Sequence, residues 1–374
     1  MAMVIINTTS SVTDNNTTVE MATASPSLYP YEARIGVSCV WVAAAVLGLV
    51  GNSLVILSVI VSKKLRTVTN AFVVNLSMAD FWTSLSYPWQ VVAILSPGAW
   101  PLSTEVPCYI AAVQFYTGLG ASIYSLSAIA FNRFMLITRT TTTYRRWYSP
   151  GKVSFMIALT WVIPSVVFFL PPIIGIGTFG YDPTDNTCSD KDGHARGSDY
   201  NLAQSLGLYP IPMLVIVSSY FALYIHLKRH FRKQKRRHTR YDNRPQNDES
   251  GVAVSTVSFT IVTESTSMAT LDMARMKQRT ISRQQLAITK NLFMVFCVFF
   301  FLISPYFISL AVPSSRKFAL YGATISILNS CVNPIIYTVN HPHFKGVLRS
   351  ILRCSYSQIP EPSDWLKSVL SRNR

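Results

Sequence analysis

Residues 69–95 read TNAFVVNLSMADFWTSLSYPWQVVAIL, an apolar run with one charged residue, Asp80, near its middle. A helix that crosses a bilayer needs about 20 mostly apolar residues. A charge inside such a helix costs several kcal/mol unless it is paired or hydrated, so Asp80 marks a functional position. The same length test, carried outward along the chain, selects six further stretches: 35–61, 108–138, 153–175, 202–227, 286–311 and 318–339. Each holds one distinctive residue, in turn Asn52, Arg133, Trp161, Pro212, Pro305 and Pro334. The third stretch is the most polar, with Gln114, Tyr116, Ser122, Tyr124, Ser125 and Ser127, which predicts a helix inside a bundle rather than one facing lipid. Pro88, Pro164, Pro212, Pro305 and Pro334 predict kinks, because neighbouring helices can satisfy the carbonyls that proline frees.

Composition agrees with a membrane protein. Only 13% of the 374 residues are charged and 49% are hydrophobic, against about 25% charged in a soluble domain. The net charge of +16 raises the question of nucleic-acid binding. Distribution answers it, because the Lys and Arg residues crowd into 62–68, 139–152, 228–285 and the tail after 340. Short basic loops are the cytoplasmic ones, so the charge is an orientation signal and no nucleic-acid partner is expected. The N-terminus then lies outside and the C-terminus inside, which requires an odd number of spans. The expected fold is an all-α membrane protein, a seven-transmembrane helix bundle over 35–340, multi-pass in the plasma membrane.

Residues 1–34 are expected to be an extracellular, disordered, glycosylated segment, with acceptor asparagines at Asn7, Asn15 and Asn16. Asn75 also fits the acceptor pattern but lies within a span. No charged region plus apolar core precedes residue 35, so the first span is expected to serve as the insertion signal. Residues 228–285 read as a long cytoplasmic loop that opens on a basic run, Lys228 to Arg240; a positive-inside flank, a nuclear signal and a lipid patch all remain open for it. Residues 341–374 hold a short amphipathic eighth helix, Phe344 to Arg353, and a tail. Cys354 closes that helix and suits palmitoylation, the alternative being a free thiol. Cys108 and Cys188 are the two cysteines at the outer face, where a disulfide would pin the second outer loop over the bundle.

Together these residues resemble the rhodopsin-like family of G-protein-coupled receptors over about 35–354. The resemblance rests on Gly51-Asn52, Asn75-Leu76-Ser77-Met78-Ala79-Asp80, Cys108 twenty-five residues before Arg133, Trp161, Pro212 eight residues before Tyr220, Pro305, Asn333-Pro334-Ile335-Ile336-Tyr337 and Phe344. Within the family the chain looks most like melatonin receptors and related invertebrate orphans, through Ala130-Phe131-Asn132-Arg133-Phe134, Gly180-Tyr181-Asp182-Pro183 leading to Cys188, and Asn329-Ser330-Cys331.

The resemblance implies three sites. Asp80 with Ser122, Asn329, Ser330 and Asn333 looks like the family's sodium pocket, and hard cations prefer such oxygen ligands; a hydrogen-bonded acid without an ion is the other reading. Arg133, with Asn132, Phe134, Tyr220, Gln285 and Tyr337, forms the G-protein switch. Asn132 and Gln285 stand where many relatives carry acids, so restraints on the resting state are missing and high basal signalling is expected. Ile303 replaces the usual Trp before Pro305, leaving Phe299, Tyr306 or a different arrangement to act as the toggle. The ligand pocket is implied at Gln90, Phe115, Tyr116, Leu119, Gln204, Leu208, Tyr306, Phe307 and Ala323, although any of these aromatics can simply be packing.

Phe115 replaces the acid of amine receptors and Ile327 the lysine of opsins, so a neutral or lipophilic small molecule is expected. Melatonin itself is disfavoured, because Pro171 and Leu208 cannot hydrogen-bond. Asp182, Asp185, Asp190, Asp192 and Asp199 leave a basic peptide as the alternative, unless that loop is merely solvated. The expected partners are an extracellular ligand, the bilayer, a heterotrimeric G protein of the inhibitory class, arrestin and receptor kinases. A transporter is the remaining alternative, but no internal repeat supports it. No enzyme motif is present, and no cofactor is expected beyond an allosteric sodium ion.

Overall fold

A computed structural model describes residues 27–191, 197–242, 287–340 and 343–372. Asn7, Asn15, Asn16, Asp192 and Gln285 lie outside the described residues. Six helical stretches have the length and hydropathy to cross a membrane: Tyr31–Val61, Val106–Thr138, Pro150–Ile173, Leu202–Arg229, Ala287–Ala311 and Ala319–Val339. The stretch around Asp80 is the remaining span, divided between two shorter helices.

In chain order the first span is α1 (Tyr31–Val61) and the second is α2 (Val68–Ser84) followed by α3 (Tyr87–Leu95). The third is α4 (Val106–Thr138), and a short α5 (Thr141–Trp147) leads to the fourth, α6 (Pro150–Ile173). A hairpin of β1 (Phe179–Asp182) and β2 (Thr187–Asp190) follows. The fifth span is α7 (Gly197–Leu208) continued by α8 (Pro210–Asp242), and the sixth is α9 (Ala287–Ala311). The seventh is α10 (Ala319–Ile327) continued by α11 (Asn329–Asn340); α12 (Phe344–Leu352) and α13 (Asp364–Arg372) are the last helices among the described residues.

The polar third span is the hub, as its composition predicts. It packs against α2, α6, α8 and both strands, and buries Ser122, Ser125 and Ser127 within the bundle. Asn75 is buried as well. Its amide donates to Ser125 Oγ at 2.7 Å and Thr160 Oγ1 at 2.9 Å, while Trp161 Nε1 donates to its Oδ1 at 2.9 Å, tying spans two, three and four together.

Proline acts unevenly. The second, fifth and seventh spans are interrupted at Leu85–Ser86, Tyr209 and Leu328; Pro88 and Pro334 follow the first and last breaks, while the break at Tyr209 directly precedes Pro210, two residues before Pro212. Pro164 remains within a continuous helix, as does Pro305. Pro334 has no N–H to give the carbonyl of Ser330. Asn52 Nδ2 supplies that bond from the first span at 2.9 Å, and also donates to Gly48 O at 2.9 Å. Gly51 allows the approach, since a Cβ there would stand 2.9 Å from the Pro334 ring.

At the hairpin end, Tyr181 pairs with Cys188, and Cys188 is disulfide-bonded to Cys108. The turn places Asn186 at a positive φ of 51°, a conformation asparagine tolerates well. Buried Arg34 of α1 donates to the carbonyls of Ile94 and Ser96, satisfying the end of α3.

Candidate functional site

Asp80 sits at mid-bundle and is 1% exposed. Ser122 Oγ donates to its Oδ1 at 2.7 Å, Ser330 Oγ to the same atom at 3.4 Å, and Asn333 Nδ2 to Oδ2 at 2.7 Å. Spans two, three and seven thus meet on one carboxylate. Tyr87, at the start of α3, donates to Ser330 Oγ at 3.2 Å and extends the network upward. Asn329 is buried, but no described hydrogen bond joins it to Asp80. The donor set suits a small hard cation, because both serine hydroxyls can turn to present oxygen beside the carboxylate.

Toward the end of α4, Arg133 is buried with Tyr220, Tyr144 and Tyr337 as its electrostatic neighbours. Asn132 turns elsewhere: it accepts from Thr69 Oγ1 at 2.7 Å and donates to Tyr144 OH at 3.0 Å. Tyr220 bridges spans five and six through ring contacts with Phe293 and Phe296, at 5.1 and 5.9 Å between centroids. Tyr337 stacks on Phe344, the first residue of α12, at 5.8 Å. Phe134 lies outside this cluster, half-buried beneath the Arg139 guanidinium.

The opposite end holds a cavity of about 270 Å³. Of the expected pocket residues, Gln90, Phe115, Tyr116, Tyr306 and Ala323 line it. Leu119, Gln204, Leu208 and Phe307 are buried but are not among its lining. Gln90 also fastens the hairpin over the cavity, since its Nε2 donates to Cys188 O at 2.7 Å and its Oε1 accepts from Cys188 N at 2.9 Å. Tyr306 faces Phe115 edge-on at 6.2 Å and donates to Tyr116 OH at 3.4 Å. Phe299 and Ile303 are fully buried. The aromatic that span six presents to the cavity is therefore Tyr306.

Several lining residues lie beyond those expected from the sequence. Trp41 enters from the first span, held by a bond from Nε1 to Thr324 Oγ1 at 3.0 Å, and contacts Phe115 and Tyr87 at 5.9 and 5.3 Å. Asp185, Asp190 and Asp199 also line the cavity. The picture of a solvated acidic loop is corrected here, because Asp182 is buried and Asp185 and Asp190 are 8% and 6% exposed. Pairing of the strands folds these acids inward, and Asp190 Oδ1 accepts from Tyr116 OH at 3.1 Å. Burial raises the pKa of the neighbouring loop residue Tyr181, partly opposed by its bond with Asn186.

Residues 51–337 match the family model described as 7 transmembrane receptor (rhodopsin family). The chain is 25% identical over 351 residues to the G-protein coupled receptor moody of Drosophila pseudoobscura pseudoobscura, covering 83% of this chain and 51% of that protein. It is 33% identical over 202 residues to melatonin receptor type 1B of Rattus norvegicus, covering 53% of each. It is 27% identical over 375 residues to 5-hydroxytryptamine receptor 1F of Cavia porcellus, covering 91% of this chain and 99% of that one. The chain thus spans about half the length of the moody and melatonin relatives. Squid rhodopsin shares the fold, with a TM-score of 0.68, 17% identity and 91% coverage of both chains. Family and fold are those of signalling receptors, not enzymes. The chain belongs to the rhodopsin family of seven-transmembrane receptors.

Proposed function

We propose that this receptor binds an extracellular ligand in the cavity beneath the hairpin and activates a heterotrimeric G protein of the inhibitory class at the Arg133 end. The observation that carries this reading is the Asp80 network, which joins spans two, three and seven between the two ends. The N-terminus faces outward in the plasma membrane, as the basic loops require. Sodium held by Asp80, Ser122 and Ser330 favours the resting state through its higher affinity for it. Basal signalling is high, because Asn132, bonded to Thr69 and Tyr144, brings no negative charge beside Arg133 to favour the resting state. Arrestin and receptor kinases act on the same cytoplasmic face, and Cys354, exposed after α12, carries a palmitoyl chain.

The favoured ligand is a neutral, largely apolar small molecule that packs on Trp41, Phe115, Tyr116 and Tyr306. A second reading, a cationic ligand or basic peptide, is favoured by the inward-turned Asp185 and Asp190 with Asp199. The function is tested with purified receptor in nanodiscs, by nucleotide exchange on heterotrimers of each class. Exchange above empty discs supports it, and none with any class refutes it. Once an agonist is in hand, Asp190→Asn separates the ligand classes: potency held indicates the neutral ligand, and potency lost indicates the cation.

A further inference from the structure

The chain does not trail away after α12. Cys354 adopts a left-handed φ of 55°, and the N–H groups of Cys354 and Ser355 return to the carbonyls of Ile351 and Ser350, ending the helix in a reversal. The segment that follows, a 3-10 turn at Tyr356–Gln358 and then extended chain, comes back to the inner end of the first span. Lys63 N donates to Glu361 O at 2.8 Å, Ser363 N to Val61 O at 2.8 Å, and Ser62 Oγ to Pro360 O at 2.7 Å. Lys63 Nζ pairs with Asp364 at 2.7 Å, and Ser363 Oγ accepts from Leu366 N at 3.3 Å at the start of α13.

This anchorage fixes the height of α13. Val61 is the last residue of α1, and Lys63 and Lys64 follow at once, so Ser363 is bonded where hydrocarbon gives way to water. At about 100° per residue, Trp365 and Val369 form one stripe of α13 and Leu366 and Leu370 the adjoining one. Only the second stripe is covered by the receptor: Leu366 is 4% exposed and Leu370 packs on the core. Trp365 and Val369 are 59% and 37% exposed. In and next to the docked segment the exposed cations Lys64, Arg66, Arg353, Lys367 and Arg372 outnumber the exposed acids Glu361 and Asp364, and Asp364 is paired with Lys63.

We infer that α13 is a second membrane-surface helix, distinct from α12, that sets Trp365 and Val369 into the anionic inner leaflet. Tryptophan favours the headgroup level, and each nearby Lys or Arg adds attraction to anionic lipid. The half of the apolar arc that the receptor leaves uncovered is thereby covered by lipid, continuous with the belt around the first span.

Spin labels at Val369→Cys and, separately, at Trp365→Cys test this in the full-length receptor with Cys39 and Cys354 replaced by Ser, using Ser368→Cys as a reference. The receptor is placed in nanodiscs of phosphatidylcholine with or without phosphatidylserine. Labels at 369 and 365 are expected to collide more with oxygen than with a nickel chelate, the label at 368 to show the reverse, and phosphatidylserine to widen the contrast. The inference is overturned if 365 and 369 are as open to the chelate as 368, which places the helix in water. Dipolar broadening between labels overturns it too, by showing a second receptor copy on that face.

Discussion

Thr69 Oγ1 donates to Asn132 Oδ1 at 2.7 Å, so the residue beside Arg133 is committed to the second span. Its amide nitrogen is committed to Tyr144 of α5. An acid at 132 would keep both hydroxyl partners as donors and add a charge next to the guanidinium. Asn132→Asp is therefore expected to lower ligand-free signalling. A bias of about 1 kcal/mol toward rest corresponds to about a fivefold drop in the active population. Basal second-messenger output at matched surface expression checks this, and an unchanged or higher output contradicts the role given to Asn132.

The Asp80 network predicts stabilisation by sodium. At roughly five times its dissociation constant, a bound ion adds about 1 kcal/mol, or about 1–2 °C in melting temperature for a chain of 374 residues. Purified receptor should melt higher in sodium chloride than in an equal concentration of choline chloride. Asp80→Asn should erase the difference. Tyr87→Phe, which removes the hydroxyl that bonds Ser330, should shrink it. Equal melting of the parent receptor in both salts removes the ion from the account.

Gln90 bonds both polar atoms of its amide to the backbone of Cys188. Gln90→Leu keeps the disulfide but loses two buried hydrogen bonds of about 1 kcal/mol each. A fall of about 2–4 °C in thermal unfolding is expected, with the Cys108–Cys188 bond still formed by thiol counting. A melting point indistinguishable from that of the parent would mean that the disulfide alone holds the hairpin.

His343 lies between the seventh span and α12, where burial and then the charge of Lys64 lower its pKa below the usual 6.5. The folded protein thus binds this proton less readily than the unfolded chain. The contribution of this residue is full above pH 6.5 and is lost as pH falls from 6.5 through the lowered value. Melting temperature measured from about pH 7.5 to about pH 5.5 should fall less steeply for His343→Asn than for the parent. Parallel curves for the two proteins would remove His343 from the pH response.

Much of this is readable from residue types. Asp80, Ser122, Ser330 and Asn333 announce themselves because polar groups are costly in an apolar helix, and the structure brings them to one carboxylate. Cys108 and Cys188 follow from topology in the same way. Prolines mark three interruptions, but residue type alone does not say which carbonyls neighbours will satisfy, so the intact helices at Pro164 and Pro305 are not legible. Trp41 escapes a sequence reading because one tryptophan in an apolar first span gives no sign of the face it occupies. Asp185 and Asp190 read as solvated because strand pairing, absent from any local pattern, is what turns them inward. The return of 359–364 to Val61–Lys63 is made largely by backbone groups, which carry no residue signature.

The most direct test of the receptor account compares ligand-free signalling of the parent chain with Arg133→Ala, at matched surface expression and across G-protein classes. A basal signal through the inhibitory class is expected in the parent and is expected to disappear in the variant. A parent signal that survives in Arg133→Ala, or no signal in either protein, would contradict the role assigned to Arg133 and the basal activity drawn from Asn132.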